Sequence, residues 1–140
     1  TVKLRNPQAT RPWQHVLDCL KGYLLVAESQ FNGSSESIGI WNVGPPNDEE
    51  GYSVAELLAS LEDRFSEPAT IDYQLSDKIE TSLLYLDSSK IREKLGYRST
   101  LTSKEAVDWT VDWYSEYLAH SDISIVTMAQ IEKYLKGQTP

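Results

Sequence analysis

Positive charge is scarce in this sequence: 13 Lys and Arg stand against 21 Asp and Glu among 140 residues, a formal net charge of −8. A surface that grips nucleic acid or an anionic membrane needs clustered basic side chains, so neither is expected as a partner. A small phosphorylated ligand is still allowed, since one or two local arginines suffice for it. Cys19 is the only cysteine, which excludes an intrachain disulfide and fits a reducing compartment. The two histidines, His15 and His120, lie far apart in sequence. No cluster has the ligand count of a metal site, and no metal is expected. No stretch approaches the ~20 consecutive apolar residues of a membrane span, and no signal peptide appears. The expectation is a soluble, cytoplasmic protein. The seven glycines, at 22, 33, 39, 44, 51, 96 and 137, never fall in a G-x-G-x-x-G spacing. That spacing lets a backbone approach a dinucleotide pyrophosphate. None of the eight tyrosines has a lysine four residues on.

What the chain does have is concentrated near its start. Arg5-Asn6-Pro7-Gln8-Ala9-Thr10-Arg11-Pro12-Trp13-Gln14-His15-Val16 places two arginines, two prolines and a tryptophan ahead of an apolar helical pattern. Each proline pushes the residue before it, Asn6 and Arg11, toward extended backbone. Thr10 stands where a helix N-cap could, with Pro12 near the first turn. An extended arginine beside unpaired helix N–H groups suits a phosphate.

The rest reads as a small mixed α/β domain in which helices outnumber short strands. Val16, Leu17, Leu20, Leu24, Ala27 and Phe31 recur at helical spacing, so a helix starts near Val16 or Trp13. Capping boxes are spelled at Ser53…Glu56, Thr102…Glu105 and Thr127…Gln130, which predicts helices over Val54–Phe65, Ala106–Leu118 and Met128–Leu135. Gly96 and Gly137 stand where helix C-terminal glycines belong. Residues 2–5, Ile38–Val43, Thr70–Tyr73 and Leu83–Leu86 are strand candidates, the second of them buried. Trp109, Trp113 and Tyr117 share one helix face, expected to lie mainly in the core. Asp48-Glu49-Glu50 reads as a solvated loop.

The segment RNPQATRPWQHV resembles the start of the sugar-nucleotide-binding portion of CDP-glucose 4,6-dehydratases, members of the extended short-chain dehydrogenase/reductase superfamily. The resemblance continues through Gly22–Glu28, Trp41–Pro45, Leu86–Lys90, Lys94–Tyr97 and Thr110–Tyr114, and so covers nearly the whole chain in order. It implies a lyase in which a tightly held NAD oxidises C4 of the sugar so that water leaves across C5 and C6. NAD and a Tyr-x-x-x-Lys pair would come from an N-terminal Rossmann domain that this sequence lacks. Residues 1–140 would be a single C-terminal domain, a fragment of a longer enzyme with no catalytic residue and no turnover of its own. The absence of an initiator Met before Thr1 agrees with that. The family's usual association through Rossmann helices would make the complete protein a homo-oligomer.

By the same resemblance, Arg11 grips the nucleotide diphosphate, Arg5 and Asn6 run past base and ribose, and Gln14 lies near the ligand. Trp13 reads as a core anchor. Where the family tends toward Pro-His-Glu-Ala-His, this chain has Lys78-Ile79-Glu80-Thr81-Ser82. Glu80 is retained and counted with the substrate-binding set, both histidines are replaced, and Lys78 could stand in for the positively charged residue that neighbouring dehydratases place on the nucleotide phosphates. The expected substrate is CDP-glucose. The alternatives are a fragment of another nucleotide-sugar epimerase or dehydratase, or a non-catalytic interaction module using the aromatic stripe.

Overall fold

The structure, a computed structural model, describes residues 1–45, 52–62, 70–74 and 81–137. Among the described residues, five α-helices and two short strands follow one another as β1 (Val2–Arg5), α1 (Val16–Phe31), a 3₁₀ turn (Ser35–Ser37), α2 (Val54–Glu62), β2 (Ile71–Gln74), α3 (Ser89–Leu95), α4 (Ser103–Leu118) and α5 (Ile123–Leu135). The mixed α/β class with helices in the majority is what the sequence pattern implies. β1 and β2 pair in parallel, from Val2 opposite Ile71 to Arg5 opposite Gln74.

Two capping boxes form as spelled. Glu56 Oε2 accepts from the Ser53 N–H at 2.8 Å and hydroxyl at 2.7 Å, while Ser53 Oγ accepts from the Glu56 N–H. Thr102 and Glu105 make the same reciprocal pair at the start of α4. The third does not form. α5 begins five residues earlier, at Ile123, capped by Asp122, whose Oδ1 accepts from the Ser124 N–H at 3.0 Å. Thr127 and Gln130 therefore sit inside the helix and bond across to α4: Trp113 Nε1 donates to Thr127 Oγ1, and Gln130 Nε2 donates to the Trp109 carbonyl. Those two contacts run in opposite senses along the helices, so α4 and α5 are antiparallel. α3 ends at Gly96 with φ 67°, the left-handed geometry a C-terminal glycine supplies.

Two strand expectations fail. Ile38–Val43 forms no strand, and Ile38 and Ile40 are 73% and 88% exposed. Gly39 at φ 129° interrupts the extended run, and β1 is already paired with β2. Leu83–Leu86 makes only a single bridge, Leu83 to Thr10. The part of the α2 expectation that reaches Phe65, and Asp48-Glu49-Glu50, lie outside the described residues.

The core gathers Leu101, Trp109 and Tyr134, with Leu17 of α1 against them. Of the aromatic stripe only Trp109 is fully inside; Tyr117 is 55% exposed, its ring stacked on Trp113 at 5.7 Å. On α1 the buried positions are Asp18 and Gly22, while Val16, Leu20, Leu24 and Phe31 point outward. The other elements reach one side of this helix, and that side is not its most apolar one. No helix of the described residues is long and apolar enough to cross a membrane.

Candidate functional site

The segment from Arg5 to His15 is tied down by backbone bonds on two sides. The carbonyls of Pro7 and Ala9 accept from the Ala55 and Val54 N–H groups at 2.8 and 3.0 Å, so the loop itself caps α2. On the other side the Thr10 N–H donates to the Ser82 carbonyl at 2.9 Å, and the Thr10 carbonyl accepts from the Leu84 N–H. Asn6 is not extended as its place before Pro7 suggests. It adopts φ 48°, and its carbonyl accepts from the Ala9 N–H, which closes a tight turn. Asparagine tolerates left-handed backbone better than most residues, and the turn outweighs the pre-proline preference.

Arg11 is partly buried. Its Nη1 donates to the Thr10 carbonyl at 2.9 Å and to the Thr81 carbonyl at 3.1 Å. Among the described residues its hydrogen bonds run through Nη1 alone, and they hold the loop against the segment at 81–84. The helix N–H groups expected beside it are taken by protein. Those of α2 are capped as above, and at α1 the Leu17 N–H goes to His15 Nδ1 while the Asp18 and Cys19 N–H groups go to the His15 carbonyl. Contact with an anion at this loop would therefore fall to the guanidinium rather than to a helix terminus. Thr10 is not a helix cap: α1 starts at Val16 with His15 as its N-cap.

Trp13 Nε1 donates to the Tyr52 carbonyl at 2.8 Å, joining the loop to the turn before α2. Gln14 faces another way. With His15, Thr110, Trp113, Tyr114 and Gln130 it lines a cavity of about 360 Å³ that Arg5, Asn6 and Arg11 do not touch. The structure thus brings Arg11 together with Thr81 and separates it from Gln14. Arg5 ends β1, exposed, opposite Gln74. Glu80, Lys78 and Ile79 lie outside the described residues. Among the described residues, no group of three His, Cys, Asp or Glu side chains could hold a metal ion.

The chain is similar throughout to a nucleotide-sugar dehydratase. Over 140 residues, 99% of its length, it is 29% identical to the CDP-glucose 4,6-dehydratase of Salmonella typhimurium. It spans 38% of that relative's length. No protein-family model matches the chain. The similarity takes in the Arg5–Val16 segment and agrees with the resemblance carried by its wording.

Sequence reasoning missed Asp18. Its carboxylate, 1% exposed, accepts from the Tyr134 hydroxyl at 2.6 Å and from the Thr100 and Leu101 N–H groups at 2.7 and 3.2 Å. Burial, and then the bond to Asp18, push the Tyr134 hydroxyl well above the ordinary tyrosine range. The sequence carried little signal for it, because Asp18 shares its side of the helix with His15, Lys21 and Gly22 and not with the apolar stripe of Leu20 and Leu24.

Proposed function

We propose that this chain is the substrate-binding part of a CDP-glucose 4,6-dehydratase-like lyase, acting within a longer polypeptide. The observation that carries the reading is similarity to such an enzyme over 99% of the chain. Nothing in the sequence fits NAD: the glycines have the wrong spacing and no tyrosine has its lysine. Hydride chemistry is therefore assigned to a Rossmann portion elsewhere, and this chain supplies binding. The outward apolar stripe of α1, with Leu24 69% and Phe31 92% exposed, supports a further portion that covers it.

In this reading Arg11 contacts the diphosphate, the Arg5–Asn6 turn lies near base and ribose, and Glu80 belongs to the substrate set. Arg11 bonds protein through Nη1 alone among the described residues, so its remaining guanidinium N–H groups are the ones offered for a bidentate contact with phosphoryl oxygens. Holding the unreactive nucleotide end fixes the sugar relative to the reacting groups, which is a positional contribution to catalysis. The chain alone would show no turnover. The substrate is CDP-glucose and the complete protein a cytoplasmic homo-oligomer.

Calorimetric titration of the complete polypeptide with CDP, UDP and dTDP tests this, with CDP expected to bind tightest. Equal affinity for all three would remove the cytidine assignment. Failure of all three to bind would favour a non-catalytic interaction module, for which the exposed Tyr114 and Tyr117 beside Trp113 are the supporting observation.

A further inference from the structure

We propose that His15 is a positioning residue for the Arg11 loop: as the N-cap of α1 it sets where the guanidinium stands, and it governs nucleotide affinity without touching the nucleotide. The inference rests on the reading of this chain as a nucleotide-binding portion.

His15 is 5% exposed, unusual for a helix cap, and its Nδ1 accepts from the Leu17 N–H at 3.3 Å. That bond requires an unprotonated Nδ1, so the ring carries its proton on Nε2. The ring meets Trp109 edge-on, 5.8 Å between centroids, and Trp109 sits at the centre of the core. One imidazole thus joins the first turn of α1 to the buried core.

Little slack separates His15 from Arg11. Pro12 restricts one residue of the connection. The Trp13 N–H donates to the Arg11 carbonyl at 2.9 Å, and its indole N–H is held by Tyr52. Thr10 is held from the other side by its bonds to Ser82 and Leu84, so a shift at the helix start is taken up between Thr10 and His15, the stretch that carries Arg11. The Arg11–Thr81 bond is solvent-exposed and poorly placed to resist it. Charge on His15 is not the agent, because burial lowers its pKa and favours the neutral ring. Nor does its cavity suit a phosphate, since no Lys or Arg lines it.

Two substitutions separate cap from ring. His15→Phe keeps a ring against Trp109 and loses the acceptor; His15→Asn keeps a capping acceptor and loses the ring. In calorimetric titration of the complete polypeptide with CDP, His15→Phe is expected to weaken binding about fivefold, while its melting temperature falls only by the few degrees that one lost N-cap costs. His15→Asn is expected to bind within about twofold of the parent although it melts lower. Affinities that simply follow melting temperature, Asn weaker than Phe, overturn the proposal. So does a His15→Phe protein that binds normally while Arg11→Ala does not. If Arg11→Ala leaves CDP affinity unchanged, the nucleotide reading itself fails and this inference falls with it.

Discussion

The Tyr134 hydroxyl donates a 2.6 Å hydrogen bond to Asp18 Oδ1 across 116 positions of sequence, and both side chains are buried. The same carboxylate takes the Thr100 and Leu101 N–H groups, so α1, the segment before α4 and the end of α5 meet at one residue. A buried acceptor shared by three donors is costly to remove, because every donor is left unpaired. Tyr134→Phe is expected to destabilise the chain by about 1–3 kcal/mol, and Asp18→Ala by about 3–5 kcal/mol. Urea unfolding with unchanged m-value checks both. A smaller loss for Asp18→Ala than for Tyr134→Phe would contradict the shared-acceptor arrangement.

Arg11→Ala is expected to weaken CDP binding to the complete polypeptide by about 1.5–3 kcal/mol, the scale of a charged hydrogen bond. Arg11→Lys should recover little of this, since an ammonium cannot bond Thr81 and grip two phosphoryl oxygens in one plane. An unchanged dissociation constant in the alanine protein retires Arg11 from the site.

His15 makes stability depend on pH. Burial lowers its pKa below 6.5, and the nearby Asp18 charge only partly opposes this. The unfolded chain therefore binds a proton that the folded chain resists, so this contribution is complete above pH 6.5 and is lost as pH falls below it. Denaturant midpoints measured from pH 7.5 to 5 should fall, and should fall less in His15→Asn. Equal slopes for both proteins would show that another group is responsible.

Gly22 faces Val43 so closely that a Cβ would stand 2.6 Å from Val43 Cγ1 and 2.7 Å from Cγ2. Glycine in a helix normally costs stability relative to alanine, yet Gly22→Ala is expected to destabilise by about 1–3 kcal/mol through overpacking. Gly22→Ala combined with Val43→Ala should recover part of that loss. Stabilisation by the single change would mean the Ile38–Val43 segment is free to move away from α1.

Much of the helical content was legible because its signals close within a few residues. Ser53 with Glu56 and Thr102 with Glu105 form reciprocal caps as their spacing implies, and Gly96 takes the left-handed turn. The same spelling misled at Thr127 and Gln130, because Asp122 starts the helix first and Trp113 and Trp109 claim both side chains. For the candidate site, the sequence singled out the Arg5–Val16 segment as a unit. It did not reveal that Arg11 would lean on Thr81 while Gln14 turned to a separate cavity.

By itself, then, the sequence determined where chains of local hydrogen bonds begin and end, since those partners lie on the same turn. Tertiary structure decided which faces are covered. It put Asp18 inside and left Leu24 and Phe31 of the same helix outside. It denied Ile38–Val43 a strand partner and seated His15 against Trp109. The reason is physical: burial depends on which distant elements arrive at a surface, and helical periodicity alone carries no record of them.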